Sequence, residues 1–117
     1  MKKISEKYLA QLKMQQSVRD SAAYAFGSAS VEFEIEKAKL VMLKGNDKTL
    51  RYGALCFELD GHRERCMKIV ARSMKEQKKI GDAAMRESGI DPDPATFTID
   101  LATGVVQQLV GADWVEA

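Results

Sequence analysis

From Ser5 to about Leu43 the apolar positions follow a helical period. Tyr8, Leu12, Val18, Ala22, Phe26, Ala29, Phe33, Leu40 and Leu43, with Ile4 just ahead of them, fall on one slowly drifting stripe. Ser5 stands where an N-cap belongs, although no capping-box Glu follows at the third position. The stripe passes through Gly27-Ser28 without losing phase, which favours one continuous helix over two shorter ones broken there. Lys44-Gly45-Asn46-Asp47-Lys48-Thr49 then interrupts the pattern. Gly45-Asn46 suits a helix C-terminus, and Asp47 or Thr49 suits the next N-cap.

A second helix is expected from about Lys48 to Ser88. Tyr52, Leu55, Leu59, His62, Cys66, Ile69 or Val70, Ser73, Gln77, Ile80 and Ala84 follow one another at alternating steps of three and four. That is close to the 3.5-residue repeat of a coiled-coil seam, here interrupted by His62, Ser73 and Gln77. Asp60-Gly61 is a possible kink, and Gly89 is the expected stop. Two helices of about 40 residues, each about 60 Å long, joined by a short polar turn, predict a long antiparallel helical hairpin in a mainly α fold. A single hairpin has one shared seam. Two or more copies in a four-helix or larger bundle would bury the remaining Leu9, Val31, Ile35, Val41, Phe57 and Met67. Phe26 and Phe33 on the first helix, and Tyr52, Leu55, Leu59, His62, Cys66 and Val70 on the second, are the expected oligomerisation residues.

Beyond Gly89 the period changes. Ile90-Asp91-Pro92-Asp93-Pro94 cannot continue a helix, because each proline lacks a donor and restricts its predecessor. Thr96 to Leu101 alternates with period two, Ala102-Thr103-Gly104 is a turn, and Val105 to Val110 is a second β-rich run, which predicts a C-terminal β-hairpin. Such a hairpin is marginal alone and must pack on the helices or join a neighbour's strands. Phe97, Ile99, Val106 and Trp114 are its expected docking residues. The organisation read from the sequence is residues 1–89 as the helical hairpin with its turn at 44–49, and residues 90–117 as a proline-containing linker, β-hairpin and tail of the same domain.

Composition alters this picture in one respect. The net charge of +1 conceals opposed blocks: +3 over residues 1–20, −1 over 21–62, +5 over 63–86 and −6 over 87–117. Within the basic block, Arg65, Lys68, Arg72, Lys75 and Lys79 recur at steps of three and four as one stripe. It is either neutralised by the acidic C-terminal block or open to the phosphates of a nucleic acid or a nucleotide. No apolar run reaches the roughly 20 residues of a membrane span, and the charged N-terminus lacks the apolar stretch of a secretory signal, so the cytoplasm is the expected compartment. Cys56 and Cys66, ten residues apart on one helix, lie about 15 Å apart and read as reduced thiols. The methionines, among them Met14, Met42, Met67, Met74 and Met85, read as gap fillers in helical packing.

Catalytic chemistry finds little support. His62, with Glu58 and Cys66 one turn to either side, offers three potential ligands from one helix and no second cluster. Glu32, Glu34 and Glu36 are spaced by two, which splays them round a helix, and Glu58 and His62 are not at Glu-x-x-His spacing, so a helical carboxylate metal centre is not expected. Phosphate loop, nucleophile elbow, Cys-x-x-Cys pair and dinucleotide fingerprint are all missing. The expectation is a protein without cofactor or metal, and not an enzyme.

Gly89-Ile90-Asp91-Pro92 followed by Phe97-Thr98-Ile99-Asp100-Leu101-Ala102-Thr103-Gly104-Val105-Val106 resembles the end of small tailed-bacteriophage proteins, in which a helical or coiled-coil body closes with an Ile-Asp-x-x-Thr-Gly hairpin. The resemblance covers about 20 of the 117 residues. It implies a phage accessory or virion-associated role, in the host cytoplasm or the virion, and brings no catalytic residues. The function expected is that of a homo-oligomeric assembly or interaction protein whose partners are itself and another protein. The alternative is a binding module for nucleic acid or a phosphate-bearing nucleotide, including sequestration of a host nucleotide signal through the basic stripe.

Overall fold

The computed structural model describes residues 2–92 and 96–117. The fold is mainly helical: a helical hairpin carrying a C-terminal antiparallel sheet. Helix α1 spans Glu6–Lys39, a 3-10 turn covers Leu40–Met42, and helix α2 spans Gly45–Glu87. Strands β1 (Phe97–Ile99), β2 (Val106–Val110) and β3 (Asp113–Glu116) follow. Both helices run unbroken through their glycines, Gly27 in α1 and Gly53, Gly61 and Gly81 in α2.

The chain reverses earlier than its polarity suggests. The expected turn at 44–49 is in fact the start of α2, and the reversal occurs over Leu40–Lys44. The buried Leu40 anchors the 3-10 turn, whose last residues are apolar. Polarity therefore misplaced the corner by about one helical turn. Gly45 does adopt the left-handed conformation expected of it, at φ 62°, and from there opens α2.

By contacts the chain divides into two units, and the division does not fall at residue 89. One unit holds residues 18–72. The other holds residues 1–17 and 73–117. The sheet explains the grouping, since it packs against the N-terminal turns of α1 and the C-terminal turns of α2.

In the sheet-bearing unit Ile4, Leu12, Ala84, Met85, Ile90 and Val106 form the core, with Tyr8, Leu9, Ile80, Phe97, Ile99 and Leu101 packed around them. Val106 is fully buried. Its N–H donates to the Lys2 carbonyl at 2.8 Å, and its carbonyl accepts from the Ala117 N–H at 2.9 Å. One residue thus ties the segment before α1 and the segment after β3 to the middle strand. Helix α2 ends in a Schellman motif: Gly89 at φ 78° donates to the Arg86 carbonyl, and Ile90 donates to the Met85 carbonyl at 2.8 Å. The motif turns the apolar Ile90 side chain back into the core. Of the expected linker, Asp93 and Pro94 lie outside the described residues.

The sheet has three strands rather than two. In order β1-β2-β3, Ile99 pairs with Val106 and Leu109 with Trp114, all antiparallel. The segment expected as a tail is β3. Gly111 at φ 64° followed by Ala112 closes a two-residue hairpin loop, a connection whose backbone twist suits a right-handed strand pair. At the other turn Gly104, at φ 77°, is constrained twice over, because a Cβ there would sit 3.3 Å from Cδ2 of Leu9.

Within the unit of residues 18–72 the helices meet more sparingly. Phe33 and Tyr52 face each other with ring centroids 6.4 Å apart, and Arg51 approaches Glu36 at 3.7 Å. Only Ala22, Leu40 and Leu55 are buried there. Val18 and Leu43, assigned to the inner stripe by their period, are more than a third exposed.

Candidate self-association surface

An α-helix can bury one stripe against one neighbour. Helix α1 carries two. Ala22, Phe26, Ala29 and Phe33 form the inner one, buried or half-buried. Tyr24, Ser28, Val31, Ile35 and Ala38 form another on the opposite side of the helix, at steps of four, three, four and three. Tyr24 is 78% exposed, Val31 61% and Ile35 53%. On the outer side of α2, Phe57 and Met67 are 81% and 63% exposed, with Asp60 and Glu64 between them. Isolated exposed apolar side chains are ordinary, whereas the regularly spaced row on α1 is a continuous apolar strip open to solvent.

The residues expected to drive oligomerisation are placed mostly between the two helices of one chain. Leu55 is buried, Leu59, Cys66, Val70, Phe26 and Phe33 are half-buried, and Leu55 and Leu59 share a groove with Ala29 and Phe33. Tyr52 lies against Phe33 in a tilted ring pair and keeps 43% of its surface open. His62 is exposed, and its Nδ1 accepts a hydrogen bond from the Arg65 guanidinium at 2.9 Å. Val31, Ile35, Val41, Phe57 and Met67, assigned on sequence to contacts between copies, are all exposed. Leu9 instead packs in its own chain's core. The residue passed over by the sequence reading is Tyr24, whose signal was its place at the head of the second row.

Of the expected docking residues, Val106 is fully buried, and Phe97 and Ile99 pack against the core of the same chain. Trp114 alone stays open, at 43% exposure. It sits opposite Leu109 across the β2–β3 ladder, beside exposed Val110 and Val115.

Glu32, Glu36 and Glu58 line one polar groove with His62 and Arg51, about 330 Å³ in volume, whereas Glu34 and Asp60 do not. Helix geometry brings the two first-helix carboxylates together because they are four apart. Glu36 is already engaged: Lys39 Nζ donates to it at 2.9 Å. That hydrogen bond, then the Lys39 charge, and in smaller measure Arg51, hold its carboxyl below the ordinary carboxylate range against slight desolvation. Among the described residues no group of three or more His, Cys, Asp or Glu is placed to hold a metal ion.

Arg65, Lys68, Arg72, Lys75 and Lys79 are exposed along successive turns of α2. Lys79 approaches Glu76 at 3.8 Å, and among the described residues no ion pair joins the stripe to a C-terminal carboxylate. None of the described helices is long and apolar enough to cross a membrane.

In comparisons with protein-family models, with curated proteins and with solved structures, nothing matches the chain.

Proposed function

We propose that this chain is a non-enzymatic, homo-oligomeric helical protein that acts in assembly or interaction, as a phage accessory or virion-associated component in the host cytoplasm or the virion. The observation that carries this reading is the contrast within residues 18–72. Three buried residues support that segment, while Tyr24, Val31 and Ile35 face solvent in one row on α1 and Phe57 and Met67 are exposed on α2. A helix pair with so small a core gains stability by covering those side chains, since a buried large apolar side chain contributes about 1.5–3 kcal/mol. Sedimentation velocity on the purified chain tests it. A concentration-dependent oligomer is expected at micromolar protein, and a monomer throughout that range would defeat the reading.

A second reading rests on the exposed basic stripe. Arg65, Lys68, Arg72 and Lys75 lack an ion-pair partner among the described residues and leave a helix face able to follow phosphates of a nucleic acid or nucleotide. Binding to a polyanion such as heparin would then weaken with added salt and with Arg72→Glu. Lack of binding at low salt would dispose of it.

A further inference from the structure

On α1 the residues Tyr24, Gly27, Ser28 and Val31 surround a shallow apolar depression. Their spacing of i, i+3, i+4 and i+7 is that of the four-residue hole that receives one side chain in coiled-coil packing. Nothing lies within 4 Å of a Cβ built on Gly27, so the floor of the hole is open. The outer side of α2 supplies suitable knobs, large and exposed: Met67 and Phe57.

From this we infer that copies associate head to tail, the outer face of α1 on one copy lying antiparallel against the outer face of α2 on the next, with Met67 of the second copy seated in the hole around Ser28. The inference rests on the homo-oligomeric reading above and adds the faces and the register. In this alignment large meets small along the contact: Met67 against Ser28, Tyr24 against Ala71, and Phe57 against Ala38. Glu64 and Asp60 fall opposite Val31 and Ile35. Asp60 is already paired with Arg63 at 3.0 Å, and the two carboxylates cost the contact some stability where they meet Val31 and Ile35.

Charge selects the same alignment independently. The outer row of α1 is flanked by Glu32 and Glu34, and the outer side of α2 by Arg63 and Lys68. In an antiparallel pair with Ser28 at Met67, the flanking positions bring Glu32 to Lys68 and Glu34 to Arg63. Glu32, Glu34 and Lys68 have no ion-pair partner among the described residues. Sliding by one heptad one way leaves Glu32 opposite Gly61 and Glu34 opposite Cys56; sliding the other way keeps one attraction, Glu32 to Lys75, but sets Lys39 against Lys68 and leaves Glu34 opposite Val70. Packing α1 on α1 of another copy does worse, because both faces then carry the same acids. The contact uses a different face on each copy and leaves the complementary face free at each end. It therefore repeats into a ring or a filament rather than closing as a dimer.

The test is directed cross-linking in chains whose native thiols are removed by Cys56→Ser and Cys66→Ser. Ser28→Cys chains mixed with Met67→Cys chains should form a disulfide-linked pair on mild oxidation, whereas neither should cross-link alone. In parallel, Glu34→Lys should weaken self-association on the order of fivefold by sedimentation, and Arg63→Glu in the same chain should restore it. All four charge and thiol positions are solvent-facing, so the fold is kept and is checked by circular dichroism. Cross-linking of Ser28→Cys with itself, or none in the mixture, would overturn the head-to-tail contact while leaving an oligomer in place. A monomeric parent chain would overturn the broader reading and this contact with it.

Discussion

Ser73 of α2 donates its hydroxyl hydrogen to the backbone carbonyl of Gln15 in α1 at 2.9 Å, across 58 positions of sequence. Ser73 is 3% exposed and is the one buried polar residue among those described. A small hydroxyl at this point of the seam lets the helices approach where a larger side chain would hold them apart. It also satisfies its own donor on a carbonyl that the helix already uses.

Ser73→Ala should cost about 1 kcal/mol, the net worth of a typical buried hydrogen bond, because the Gln15 carbonyl keeps its helical partner. Ser73→Leu, which overfills the same space, should cost more. Urea unfolding of the two variants ranks them. Equal stabilities would mean that the seam is not closed at this level.

Gly104 and Gly111 both have positive φ, but only Gly104 faces a close neighbour. Replacement by Ala should destabilise the chain by about 1 kcal/mol at Gly111, the cost of a left-handed L-residue. At Gly104 the loss should be larger, because Cδ2 of Leu9 must also give way. The difference between the two midpoints in denaturant measures that contact.

Val106→Ala removes two methyl groups from a fully buried site and should cost about 2 kcal/mol or somewhat more, from transfer and cavity together. Trp114→Ala, at a side chain 43% exposed, should cost the isolated protein less despite the larger deletion. Thermal unfolding gives both values. The reverse ranking would show that β3, rather than the N-terminal bridge, holds the sheet to the helices.

Glu36 supplies a pH dependence. A carboxyl whose pKa is lowered in the folded state stabilises the fold above its unfolded pKa, and that contribution is lost as pH falls through the folded value. Lys39→Ala removes the leading cause and should move the Glu36 carboxyl back up toward the ordinary carboxylate range, followed by NMR titration. The stability curves of parent and variant should converge on acidification through that range and separate above it. A constant separation at every pH would assign the Lys39 effect to something other than this carboxylate.

Much of the fold could be read from local pattern. The inner stripe from Ile4 through Leu12, Ala22, Phe33 and Leu40 needed only a period, as did the seam through Leu55, Leu59, Ser73 and Ala84. Gly89 and Gly104 announced a stop and a turn, and both take positive φ. The corner of the hairpin was misread because polar residues Lys44 to Thr49 suggested a loop, whereas apolar Leu40-Val41-Met42 provided the turn itself. Strand β3 was missed because Asp113 to Glu116 is too short to signal alternation, and it exists through ladder bonds to β2. The carboxylates of the polar groove were discounted for being two apart, yet Glu32 and Glu36, four apart, come to one groove with Glu58 and His62.

The sequence by itself determined that two long helices form, that the second stops at Gly89, and that alternating apolar residues follow it, because those properties depend on neighbours within a turn or two of chain. Tertiary structure alone decided that Leu9 joins the core of its own chain and that Asp113 to Glu116 becomes a strand. Neither segment carries its outcome locally: Leu9 is covered only because the sheet packs on the first turns of α1, and the short β3 is held only by its ladder to β2.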